Sequence, residues 1–120
     1  MWFFQSRGQC WRCHVGQNLT DEDFHNTGIG SEQGEPAEGR FAITREEADR
    51  GGFKTPTLRA IEATAPYMHD GSLQTLEDVV QFYREGGRAN SHLSEHIAPI
   101  DMSDEEAANL VAFLRALSPR

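Results

Sequence analysis

The chain has 120 residues, the length of one domain, and Lys+Arg of 11 against Asp+Glu of 19 leave a formal charge of −8 with histidines neutral. A chain this acidic does not condense on a phosphate backbone, which argues against nucleic acid as a partner. Hydrophobic residues make up 38% of the chain, with Gly 11 and Pro 5, and a domain so poor in apolar side chains relies on a disulfide, a metal or a buried cofactor to complete its core.

In chain order, residues 2–14 read as a helix that carries Trp2, Phe3 and Phe4 and ends in Cys10-Trp11-Arg12-Cys13-His14. The apolar opening Met1–Phe4 is far shorter than the roughly 20 residues of a membrane span. It also lacks the basic start, long apolar centre and small-residue cleavage site of a signal peptide. Residues 15–54 show little periodicity, and Thr27–Ser31 and Gly34–Gly39 are loop chemistry. A short helix is expected around Thr44–Arg50, with Thr44 as N-cap and Glu47 at the capping-box position. Thr75 caps a helix over Leu76–Glu85, stopped by Gly86-Gly87. Ser103-Asp104-Glu105-Glu106 opens a last helix that runs to Leu117, before Pro119. No alternating strand run of useful length exists, so the expected fold is all-α, with long loops between the helices.

Cys10 and Cys13 are the only cysteines of the chain. A disulfide between them closes a tiny loop and staples almost nothing. A thioredoxin-like pair wants a strand–helix–strand context that is absent here, and a structural zinc site wants four ligands, forcing recruitment of His25 or another distant histidine. Attachment of a c-type haem fits best: two thiols one helical turn apart match the two vinyl groups, and the His after the second Cys turns toward the iron. The chain is then a cytochrome c-like domain of helices and long loops around one covalent haem. His14 takes one face of the iron, and the other face decides between electron transfer and reaction with peroxide or oxygen. Candidates for it are Met68, Tyr83, His69, His25, Met102, His92 and His96. Against those roles, Tyr83 on an inner helix face also reads as a core aromatic, Met68 as a gap filler, and His92 and His96 as members of a solvated loop.

Cys10–His14, Phe24-His25-Asn26-Thr27-Gly28, Gly39-Arg40, Phe53–Arg59, Ala65-Pro66-Tyr67-Met68-His69-Asp70-Gly71 and Thr75-Leu76-Glu77 follow one another in this order. So ordered, they resemble the C-terminal haem half of the bacterial dihaem cytochrome c peroxidase and MauG family, over essentially this whole chain. The N-terminal haem domain of that family, with its own CxxCH, has no counterpart here. The resemblance implies that Cys10 and Cys13 are the thioether links and His14 the proximal ligand. In the peroxidases of the family a Met fourteen residues after the His of the PYxHDG loop is the distal ligand, and in MauG a Tyr stands there. Tyr83 lies fourteen residues after His69, so the MauG-like pairing His14/Tyr83 is expected, with His14/Met68 as the alternative. A phenolate favours Fe(III) and lowers the potential, whereas a thioether favours Fe(II) and raises it.

The resemblance further implies that Thr64 and Pro66 present carbonyls to a calcium shared between the two haem domains, and that His69 lies near their interface. Arg59 is expected to pair with a haem propionate, its planar fork suiting a carboxylate, with an ordinary surface cation as the other reading. The implied activity is that of the electron-relay half of a peroxidase-like oxidoreductase. Its expected partners are the N-terminal haem domain, where hydrogen peroxide reacts, and a small redox protein as electron donor or protein substrate. The implied location is the periplasm, since haem attachment happens outside the cytoplasm, and the missing signal peptide fits a truncated chain. A free-standing monohaem electron carrier is the alternative function, and a non-haem CxxC metal or redox module is the third.

Overall fold

A computed structural model describes residues 2–119, so Met1 and Arg120 lie outside the described residues. The first helix, α1, covers only Trp2–Gln5, and a separate 3-10 turn covers Cys10–Arg12. The continuous helix expected over 2–14 is therefore broken, and Gly8 is the reason. Its N–H folds back onto the Phe3 carbonyl at 2.9 Å, and a Cβ there would stand 2.9 Å from the Phe3 ring. Gln9 then takes a left-handed conformation, φ 55, which reorients the chain into the cysteine turn.

The acidic segment also differs from expectation. The second helix, α2, is Phe41–Thr44, and Glu47–Asp49 is a single 3-10 turn. Thr44 thus ends a helix instead of capping one. Its hydroxyl donates to Asp49 at 2.6 Å and accepts from the Glu46 N–H at 3.2 Å, a local alternative to helical hydrogen bonding that threonine readily takes. Arg45, at φ 61, completes the break.

One short ladder departs from an all-helical layout: β1, Phe24–His25, pairs antiparallel with β2, Phe53–Lys54, in the register Phe24↔Lys54 and His25↔Phe53. Strands of two residues are too short to leave an alternating pattern in a sequence. Around the ladder, loops are joined by polar side chains. Asn26, 5% exposed, donates to the Asn90 side-chain oxygen and to the Arg50 carbonyl, both at 3.0 Å. Its own oxygen accepts from the Gly28 N–H and from Asn90, so every polar position of this buried amide is used.

The last two helices follow the expected boundaries within a residue. α3 is Leu76–Arg84 and α4 is Asp104–Ala116, each opened by a complete capping box, Thr75 with Asp78 and Ser103 with Glu106. Ser103→Ala is expected to cost about 1 kcal/mol of stability, the usual worth of such a cap, read as a lower denaturant midpoint at unchanged slope. α3 and α4 pack together over a core of Phe4, Tyr67, Leu76, Val80, Met102, Leu110, Val111 and Leu114. Half-buried Cys10 and Trp11 pack on its edge, and Arg7 pairs with Glu106 of α4. The cysteine turn is thereby fixed against the helical core.

Candidate cofactor-attachment site

Gly8 and Gln9 deliver the chain into the turn, where the Cys13 and His14 N–H groups both donate to the Cys10 carbonyl, at 3.3 and 2.9 Å. Both cysteines are free and half-buried. Burial, reinforced by Cys13, pushes the Cys10 thiol up to about 11. Cys13 also rises to about 11, mainly by burial, with Asp21 and Asp23 adding to it and Arg12 opposing. At neutral pH both therefore stand as protonated thiols, slow to form a disulfide, which proceeds through the thiolate.

His14 Nδ1 lies 2.8 Å from the Leu19 carbonyl. A carbonyl oxygen only accepts, so the proton sits on Nδ1 and Nε2 keeps its lone pair. Burial holds the ring below the ordinary histidine range, against the Leu19 and Pro56 carbonyls and Asp21, which favour the protonated form. A neutral imidazole with one nitrogen fixed by a carbonyl and the other free is the form that ligates a metal.

Tyr83 lies on α3, its ring edge-on to Phe82 at 5.3 Å. Its phenol is pushed well above the usual range by burial and, after that, by Cys10 and Cys13, which places the three side chains in one electrostatic neighbourhood. The Tyr67 hydroxyl donates to the Ile61 carbonyl at 3.1 Å, whereas the Tyr83 hydroxyl has no hydrogen-bond partner among the described residues. Two protonated thiols, an oriented imidazole and an unpartnered phenol fit a haem held at this turn: two thioether anchors, one nitrogen ligand and one oxygen ligand.

The remaining expected residues are dispersed. Met68 is half-buried at φ 70 and lies outside the apolar core, whereas Met102 is 4% exposed within it. His69 stacks on Phe53 at 3.5 Å with 9° between the rings, and its Nε2 donates to the Ile29 carbonyl at 3.3 Å. Thr64 and Pro66 are exposed on the loop that Tyr67 anchors. Arg59 sends Nε and Nη2 to the Gln17 carbonyl, at 3.0 and 2.6 Å. His92 lies 3.4 Å from Glu47, and His96 stacks edge-on against His25 at 5.9 Å.

The Leu19 carbonyl and Asp21 escaped the sequence reading, which names His25 as a histidine that a zinc site at the cysteines would recruit. Leu19 supplies only a backbone carbonyl, which no residue type announces. Asp21 and His25, joined at 2.7 Å, bring donor atoms within 4.8 Å of the Cys13 sulfur. The group offers three donors, one short of a closed zinc site.

Fold and site thus define a small, mainly helical domain built around a free CxxCH turn with an oriented histidine. No family model matches the chain. It is 40% identical over 116 residues to the methylamine utilization protein MauG of Methylorubrum extorquens, covering 95% of this chain and 32% of that protein. It is 37% identical over 111 residues to the cytochrome c551 peroxidase of Nitrosomonas europaea, covering 91% of this chain and 30% of that one. A crystal structure of a MauG-like protein associated with microbial copper homeostasis matches with a TM-score of 0.90 and 38% identity, over 98% of this chain and 45% of that one. The chain matches the C-terminal domain of the MauG and cytochrome c peroxidase family. It spans about a third of the length of these curated relatives.

Proposed function

We propose that the chain is the electron-relay domain of a dihaem oxidoreductase of this family, holding one covalent c-type haem. The observation that carries the reading is the CxxCH turn with His14 Nδ1 held by the Leu19 carbonyl at 2.8 Å, in a chain whose relatives are MauG and cytochrome c peroxidases. Haem c supplies a one-electron iron couple. Cys10 and Cys13 anchor it through their sulfurs, and His14 offers Nε2 to the iron with its tautomer already fixed. Tyr83, whose phenol is influenced by both thiols, would hold the iron on the face opposite His14; Met68 is the alternative. Cys10 and Trp11 pack against the core of α3 and α4, which would keep water from that side of the turn and limit reorganisation around a changing charge.

The same reading assigns a peroxide-reacting haem to a second, N-terminal domain, and a small redox protein as electron donor or protein substrate. Thr64 and Pro66 would offer carbonyls to a calcium between the two domains, and His69 would lie near their contact. The location is periplasmic, where c-type haem is attached. No described helix is long and apolar enough to cross a membrane.

Tyr83→Phe is expected to change the visible spectrum of the haem-loaded chain and raise its reduction potential, because a phenolate favours Fe(III). Met68→Ala is expected to leave both unchanged. A near-infrared iron–thioether band in the parent chain, lost in Met68→Ala, would place Met68 on the iron and sink the tyrosine assignment.

A further inference from the structure

We propose that Arg59 and Thr57 are positioning residues for His14, acting through the backbone of residues 17–20 and not by neutralising a carboxylate of the cofactor. The inference rests on His14 being the iron ligand. Four consecutive residues carry it. The Gln17 carbonyl accepts both Arg59 Nε, at 3.0 Å, and Arg59 Nη2, at 2.6 Å. The Asn18 carbonyl accepts from the Thr57 hydroxyl at 2.5 Å. The Thr20 hydroxyl donates to the Thr55 carbonyl at 2.6 Å. Between these ties stands Leu19, whose carbonyl accepts from His14 Nδ1 at 2.8 Å.

Leu19 is buried and held at φ 55, a left-handed conformation that a side chain as large as Leu rarely adopts. Such a backbone persists only where the surroundings over-determine it, and here the flanking residues are tied to the segment Thr55–Arg59. Thr57 also accepts from the Arg59 backbone N–H at 3.1 Å, so the two residues form one clasp. Its effect is to aim one carbonyl. That hydrogen bond fixes the imidazole tautomer and raises the basicity of the ligating nitrogen, which favours the oxidised iron.

The two roles for Arg59 predict different responses. A cation that neutralises a carboxylate acts by its charge, so Lys replaces it and Thr57 is irrelevant. A clasp acts by geometry, so a lysine, a point donor lacking the two-pronged fork, does not replace it, and removing the Thr57 hydroxyl weakens the same device.

The test uses the haem-loaded chain, with Arg59→Lys and Thr57→Val, both of which conserve net charge. In the reduced, histidine-labelled protein the solvent exchange of the His14 Nδ1 proton is expected to accelerate about tenfold or more in each variant, the factor implied by losing one charge-assisted or short hydrogen bond. The reduction potential is expected to become more positive, while amide exchange of Leu110 and Val111 in α4 stays as in the parent. Unchanged His14 exchange and potential in both variants would overturn the inference, as would equal acceleration at Leu110 and Val111, the mark of general loosening. His14→Ala provides the separate control: an unaltered spectrum there overturns the ligation reading and this inference with it. An altered spectrum beside silent clasp variants overturns this inference alone.

Discussion

A chain carrying Cys10→Ala and Cys13→Ala together is expected to retain no covalent haem, with haem staining on a denaturing gel falling to background. Each single variant should keep one bond and stain at reduced intensity, with a pyridine haemochrome spectrum displaced toward that of a haem with one remaining vinyl group. The reasoning starts from the turn. Its hydrogen bonds, from the Cys13 and His14 N–H groups to the Cys10 carbonyl, fix the order in which the two sulfurs and the imidazole leave the backbone. Burial pushes both thiols up to about 11, which slows disulfide formation through the thiolate and leaves both sulfurs available for thioether bonds. No other cysteine exists in the chain to substitute for them. Persistent staining of the double variant would defeat attachment through sulfur. A colourless parent chain that instead takes up one zinc, and loses it on Asp21→Asn or His25→Ala, would defeat the haem reading and turn the Cys13–Asp21–His25 group into the functional centre.

What was legible in the sequence is what depends on neighbours along the chain. The N-cap Thr75 and the capping box opened by Ser103 announced α3 and α4, because a cap and the residues it serves stand within three positions of each other, and in the structure both helices open with a complete box. The same three-residue rule misplaced a helix start at Thr44. There the hydroxyl found Asp49 and the Glu46 N–H instead, a choice set by the left-handed Arg45 that follows. Gly8 carries the break in the first helix, standing alone in the polar run Gln5–Gln9, and a single glycine does not by itself end a helical pattern. The structure shows instead that it is required by its approach to the Phe3 ring. The ladder of Phe24–His25 with Phe53–Lys54 and the Asn26–Asn90 link join segments far apart in sequence, and short polar contacts of that kind leave no periodicity.

The candidate site divides along the same line. Cys10, Cys13 and His14 are side-chain chemistry at fixed spacing and could be read directly. Tyr83 as a second ligand came from counting along a family resemblance, and in the structure burial, then Cys10 and Cys13, raise its phenol. The Leu19 carbonyl could not be read at all, since every residue has one. Its importance comes from φ 55 at Leu19 and from the ties on either side of it. Backbone acceptors beside a motif are therefore the part of such a site that a structure adds.

Phe4→Ala is expected to be the most destabilising single change in the helical core, at about 3–5 kcal/mol. Phe4 is 1% exposed and touches two further aromatic rings, Trp11 edge-on at 6.2 Å and Phe113 at 5.2 Å. Removing its ring takes away buried apolar surface and leaves a cavity between α1 and α4. Collapse cannot easily fill that cavity, because Gly8 and the Arg7–Glu106 pair hold the segment after α1 in place. The consequence reaches the site. Trp11 sits between the two cysteines, so losing the ring it packs against loosens the turn itself, and haem incorporation should fall along with the denaturant midpoint. Trp2, on the same four-residue helix but 73% exposed, is the internal control: Trp2→Ala should stay within about 0.5 kcal/mol of the parent. Equal losses in the two variants would mean that α1 contributes through helix formation alone. A Phe4→Ala loss below about 1 kcal/mol would mean that the core does not brace the cysteine turn as the packing implies.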